Sequence, residues 1–162
     1  MFDDLITANA HYQTHFHDSG VSGGAARGLA VLTCIDSRID PLAMLGLRPG
    51  DAKIIRNAGA RASDDAIRSL VLATNLLGVD RICVVGHTDC AMVGSTDAEV
   101  AARISASTGR DASSMPFLAI EDQAATLADD VARIEACPLI PDTVTTQAFV
   151  FDVRTGALTA LL

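Results

Sequence analysis

The sequence predicts an α/β chain with a mostly parallel central β-sheet flanked by helices. Short aliphatic, β-branched runs at residues 30–35, 53–56, 81–86 and 148–153 lack the polar alternation of a half-exposed strand, so they read as strands buried on both faces. Stretches with helical spacing separate them, and that alternation builds a parallel sheet. Composition agrees: 49% of residues are apolar, 20% are charged and there is no Trp, so Ala, Val, Leu and Ile must fill the core. A chain of 162 residues is sized for a single domain, 1–162, that buries about two thirds of its unfolded surface.

Residues 1–28 read as an N-terminal arm followed by a flexible Gly-rich connector at 20–28, which leads into the first strand. Asp40-Pro41 is an N-cap with Pro at the first helical position, which predicts a short helix over 41–45 that Gly46 ends. Met44, Leu45 and Leu47 are expected to pack. After the second strand, Ser63 with Asp64 and Asp65 opens a helix whose apolar positions are Ile67, Leu70, Val71 and Leu77, with Gly78 as its left-handed stop. Thr96 and Glu99 have capping-box spacing and predict a helix over 97–107, followed by a loop over 107–116. Ile120, Ala124, Leu127, Val131 and Ile134 form an unbroken stripe that predicts a long amphipathic helix ending before Cys137-Pro138. The last strand turns at Arg154-Thr155-Gly156 into a short partner over 157–161. Such a sheet is expected to be covered on both faces and to take ligands at the carboxyl ends of its strands.

Charge narrows the partners. With 12 Lys and Arg against 20 Asp and Glu, the formal net charge of -8 repels nucleic-acid phosphates and anionic membranes, so neither is an expected partner. The longest apolar stretch, 70–79, is interrupted by Thr74, Asn75 and Gly78 and falls short of the ~20 residues of a membrane span. The acidic start, Met1-Phe2-Asp3-Asp4, is unlike a targeting peptide, so a cytoplasmic location is expected. There the four cysteines stay reduced and are available as ligands or nucleophiles.

Chemistry concentrates at two strand ends. The first strand runs into Cys34-Ile35-Asp36-Ser37-Arg38, and the third into His87-Thr88-Asp89-Cys90. Cys34, His87 and Cys90 make a thiolate and imidazole set suited to Zn2+, and three protein ligands leave a fourth position for water, as in a catalytic site. A phosphatase loop needs more residues between its Cys and Arg than separate Cys34 from Arg38. A dinucleotide site needs a Gly-rich turn where Asp36-Ser37-Arg38 stands. Three other sets read as bland. His11, His15 and His17 belong to an exposed polar arm, although the i, i+4 pair can chelate. Cys83 and Cys137 are expected to be buried, inert thiols. Asp89 either orients His87 or is a solvated turn carboxylate.

Cys34-x-Asp36-Ser37-Arg38, Arg56-Asn57-Ala58-Gly59 and Gly86-His87-x-x-Cys90, in this order from about residue 30 to residue 94, resemble the β-class carbonic anhydrases. The resemblance implies a β-carbonic-anhydrase-like fold, zinc on Cys34, His87 and Cys90, and an Asp36–Arg38 ion pair beside it. It also implies a homodimer, or a multiple of dimers, with an N-terminal helix from 2–16 packed across the partner. The implied reaction is reversible hydration of carbon dioxide to bicarbonate by a zinc-bound hydroxide. Two thiolates cancel the ion's charge, so the bound water should be less acidic than the pKa of about 7 reached with three imidazoles. Asp36 would orient the hydroxide, and Arg38 would keep Asp36 ionised and off the metal. Members of the family occur with Asp free or bound to the metal.

The chain departs from that family at two places. Ala25 and Arg27 stand where many members carry Gln-x-Pro, and Ala91-Met92 replaces Gly-Gly, which makes the pocket more apolar. Two alternatives follow: a carbonyl sulfide or carbon disulfide hydrolase on the same scaffold, and a non-catalytic zinc protein whose Asp36 fills the fourth position.

Overall fold

The structure is a computed structural model and describes residues 1–17 and 20–161. Its helices are α1 (Asp3–Thr14), α2 (Asp64–Leu76), α3 (Asp97–Thr108) and α4 (Gln123–Glu135). Its strands are β1 (Leu29–Cys34), β2 (Ala52–Asn57), β3 (Arg81–His87), β4 (Thr145–Phe151) and β5 (Leu158–Ala160). Ser63, Thr96 and Asp122 accept hydrogen bonds from the Ala66, Glu99 and Ala125 amides, and so set where α2, α3 and α4 begin. The Thr96–Glu99 pair forms the full capping box, and Gly109 closes α3 in the left-handed region.

The strands make one five-stranded sheet in the order β2-β1-β3-β4-β5, parallel throughout except for the antiparallel β4–β5 pair. On one face Ala30, Leu32, Ile82, Val84 and Ala148 pack against Ala66, Leu70 and Ala73 of α2 and Leu127 and Ile134 of α4. On the other face Leu29, Val31 and Val85 pack against Ile39, Leu47 and the half-buried Leu42, Met44 and Leu45. Both faces of the sheet are thus covered, as expected, with α2 and α4 on the first face only. The second face is closed by the connection after β1, and Cys83, Ile54 and Phe149 stay half-buried there. This connection, residues 35–51, contains no α-helix. It makes only a 3-10 turn, Ala43–Leu45, tied by the Asp40 carboxylate to the Leu42 and Ala43 amides and ended by Gly46.

Two further expectations change. The Asp122 cap starts α4 after Ile120, which instead forms an isolated bridge with Val93, and Ala124 is exposed. Leu127, Val131 and Ile134 of the expected stripe do pack on the core, and Gln123 and Asp130 share their inward face. Cys83 and Cys137 are half-buried rather than buried, and burial pushes the Cys83 thiol up. Helix α1 buries none of its residues. No helix among the described residues is long and apolar enough to cross a membrane.

Candidate metal centre

β1 and β3 are parallel neighbours with Thr33 in register with Val85, so the next residues bring Cys34 and His87 to adjoining strand ends. From β1 the chain moves outward to β2 and returns on the opposite side as β3. The crevice at such a reversal is where open α/β sheets take ligands. Cys90 is carried back to the same point by a tight turn in which Asp89 adopts a left-handed φ of 58°. The ligand atoms of Cys34, His87 and Cys90 lie within 4.8 Å of one another, and all three residues are buried.

This trio fits a metal ion on two grounds. A tetrahedral ion bonded at roughly 2.0–2.3 Å holds its ligands about 3.5–3.8 Å apart, so little movement would close the trio on one. His87 Nδ1 lies 2.9 Å from the Thr88 carbonyl, which places the ring proton there and leaves Nε2 with its lone pair. That Nε2 is buried without a hydrogen-bond partner among the described residues. An unpartnered buried nitrogen beside two sulfurs is costly in a purely organic core and suits a borderline-soft cation.

The sulfurs behave as one unit. The hydrogen bond from the Cys90 thiol holds Cys34 far below the ordinary thiol range against the effect of burial, with His87 and the Gly59 amide adding to it. Cys90 is raised, first by that Cys34 thiolate and then by burial. Cys34 is thus the sulfur favoured as thiolate, and a divalent ion could take the place of the Cys90 proton. His87 is raised chiefly by the Cys34 sulfur.

Around the trio, Asp36 lies in the grip of Arg38. Asp36 Oδ1 accepts from the Arg38 amide and from Nε, each at 2.9 Å, and Oδ2 accepts from Nη2 at 2.8 Å. The Arg38 guanidinium holds the Asp36 carboxyl well below the usual carboxylate range. Oδ2 is still only 3.9 Å from His87 Nε2. Arg38 is itself anchored by Asp89, through Oδ2 at 2.9 Å and the main-chain oxygen at 3.0 Å. Asp89 does not orient His87, whose ring meets the Thr88 carbonyl; it is the exposed turn carboxylate, and it meets Arg38.

Sequence reasoning assigned no role to several residues that frame this centre. Arg56 donates to the Cys34 carbonyl at 2.8 Å, to that of Asp36 at 2.6 Å and to that of Ile39 at 3.2 Å, which pins the turn carrying Asp36 and Arg38. The Gly59 amide donates to Cys34 Sγ at 3.3 Å. Gln123 Nε2 donates to the His87 carbonyl at 2.9 Å, and Asp130 holds Arg61 at 2.7 Å. The signal for the last two was present: polar residues at inward helical spacing on either side of Leu127.

Gly59 has φ 79°, and a Cβ there would stand 3.0 Å from Ile120 Cδ1 and 3.4 Å from Met92 Cβ. Gly59→Ala is expected to lower stability by about 1–2 kcal/mol from the left-handed backbone. Urea unfolding checks this, and an unchanged midpoint contradicts it.

A Cys–His–Cys set able to hold a metal ion, at the switch point of a mostly parallel sheet, marks the chain as an α/β protein with a candidate metal centre. A model of the carbonic anhydrase family matches residues 29–108. β-Carbonic anhydrase 1 of Mycobacterium tuberculosis is 35% identical over 159 residues, covering 96% of this chain and 94% of that protein. The crystal structure of carbonic anhydrase from Streptococcus mutans superposes with a TM-score of 0.94 at 35% identity, covering 99% of this chain and 97% of that one. The carbon disulfide hydrolase of Saccharolobus solfataricus is also similar, 37% identical over 155 residues, with 82% of this chain and 76% of that protein covered. The chain belongs to the β-class carbonic anhydrase family.

Proposed function

We propose that this chain is a zinc enzyme that interconverts carbon dioxide and bicarbonate. The supporting observation is the placement of Asp36, whose Oδ2 lies 3.9 Å from His87 Nε2 while both of its oxygens are taken by Arg38. Held so, the carboxylate has both oxygens engaged by Arg38, which would leave a fourth position on the ion to water. Cys34, His87 and Cys90 would hold a zinc ion, which would supply a Lewis acid able to acidify a water molecule. The thiolates work against that acidification by cancelling formal charge, and the Gly59 amide offsets part of this by drawing density from the Cys34 sulfur. Asp36 would accept a hydrogen bond from water at the centre and so orient it for attack on a linear substrate. Arg38, braced by Asp89, keeps Asp36 ionised and off the metal.

The second reading is hydrolysis of carbon disulfide or carbonyl sulfide. The carbon disulfide hydrolase relative favours it, as do Met92 and Ile120, whose side chains close around Gly59 and make this side of the centre apolar. Parallel assays on protein of known zinc content, stopped-flow hydration of carbon dioxide and hydrogen sulfide release, separate the two. Hydration well above the buffer rate with little sulfide release is the expected result. Sulfide release without hydration moves the chain to the second reading, and neither activity at full zinc leaves a non-catalytic zinc protein.

We also infer that the chain works as a homodimer or a multiple of dimers. A folded 16.8 kDa monomer exposes about 7,700 Å² by surface-to-mass scaling, whereas this chain exposes 9913 Å². Phe2, Leu5, Ile6, Tyr12 and Phe16 are all more than half exposed along α1, which has no buried residue. A second copy covering that helix accounts for both facts. Ile6→Glu is expected to lower the solution mass toward 16.8 kDa by light scattering; an unaltered oligomer would place the contact elsewhere. Four free cysteines suit a reducing, cytoplasmic setting.

A further inference from the structure

Helix α4 turns two polar side chains inward, and each ends on a segment that carries the metal centre. Gln123 Nε2 donates to the carbonyl of His87 itself. It approaches so closely that a Cβ on Gly86 would stand 3.3 Å from it and 3.1 Å from Leu127 Cδ1, so the glycine at 86 lets the helix reach the strand end. Two turns further along, Asp130 is 3% exposed and accepts from Arg61 Nε at 2.7 Å. Arg61 Nη1 in turn donates to the Leu118 carbonyl at 2.7 Å.

Arg61 closes the turn that aims the Gly59 amide at Cys34. Its amide donates to Asn57 Oδ1 and its carbonyl accepts from Asn57 Nδ2, both at 2.7 Å. Inside that ring Gly59 and Ala60 both have positive φ, 79° and 60°, so a backbone with little intrinsic preference for this shape is held from outside. Burying an ion pair is a weak source of stability, since apolar residues of similar volume commonly do as well. Orientation of the turn is what a carboxylate at 130 provides and a leucine would not.

We propose that Gln123 and Asp130 are positioning residues that set the metal centre from α4, one through the His87 main chain and the other through Arg61 and the Gly59 amide on Cys34. The proposal rests on the reading that Cys34, His87 and Cys90 hold the metal. Ligands are only as well placed as the backbone that bears them, and loss of such outer partners typically costs 10–100-fold in metal affinity or activity, on the order of one to two decades.

The test uses the whole chain loaded with Co2+, whose visible absorption reports the geometry of its ligands, and the rate at which a chelator removes the ion. Gln123→Met keeps the volume and removes the donor. Asp130→Asn weakens the hold on Arg61, and Asp130→Glu keeps the charge. Gln123→Met and Asp130→Asn are expected to retain the far-ultraviolet circular dichroism, shift the visible band and release the ion about 10–100-fold faster, with Asp130→Glu close to wild type. Ile134→Val, fully buried on the same helix, is expected to lower thermal stability while leaving band and release rate in place. Unchanged band and release in both polar variants, or an equal change in Ile134→Val, overturns the proposal. Should Asp130→Asn fail to fold, Gln123→Met decides alone. Wild-type protein that takes up no Co2+ removes the ligand assignment and the brace with it. Wild-type uptake that Cys34→Ser abolishes, with both polar variants unaltered, removes only the brace.

Discussion

Cys34→Ser is expected to strip the protein of stoichiometric zinc and to bring carbon dioxide hydration down to the buffer rate. Cys34 is 4% exposed, and its sulfur is the point on which the Cys90 thiol, the His87 ring and the Gly59 amide all converge. A serine oxygen is smaller and, because it keeps its proton at neutral pH, offers a zinc ion no anionic ligand. The loss should exceed the roughly 10–100-fold cost of removing an outer partner, because a ligand itself is gone. Elemental analysis of gel-filtered protein and stopped-flow hydration check this together. Full zinc occupancy in the variant would sink the assignment of Cys34 as a ligand.

Asp36→Ala is expected to separate binding from turnover. The carboxylate lies beside the trio and its hydrogen bonds go to Arg38, so zinc occupancy should stay near that of the wild type. The rate should fall by about 100-fold, the scale of a lost proton-handling group. Zinc lost in parallel with activity would instead make Asp36 a ligand. Acid behaviour follows from the same geometry. The folded-state pKa of Asp36 is depressed, chiefly by the Arg38 side chain, so its contribution to stability is present above the ordinary carboxylate value of about 4. That contribution is lost as pH falls through the folded value. The Asp36–Arg38 ion pair is therefore expected to persist across the neutral and mildly acid range.

Much of the candidate site was legible because its chemistry sits in short windows. Cys34, Asp36 and Arg38 follow one strand and His87 and Cys90 another, and an apolar run ending in ligand-type residues is visible without knowing the fold. Roles that depend on partners elsewhere were not legible. Asp89 carries nothing in its own neighbourhood to say that it meets Arg38, 51 residues away. Helix α4 was placed by its apolar spacing, yet Ile120 lies outside it and Ala124 is exposed, since the face toward the sheet includes Gln123 and Asp130. An apolar count discards these two as surface residues, although each is satisfied by a half-buried or main-chain partner.

Strand runs, helix caps and the candidate donor residues were legible in short stretches of the chain, where propensity, capping and side-chain chemistry act. The sharing of His87 with Gln123 across 36 residues and of Arg61 with Asp130 across 69 came from strand register and helix docking. So did the opening of Asp36 toward Arg38 and the exposure of α1. Hydrogen bonds and ion pairs act over a few ångströms, and only the packed sheet brings such distant groups within that range.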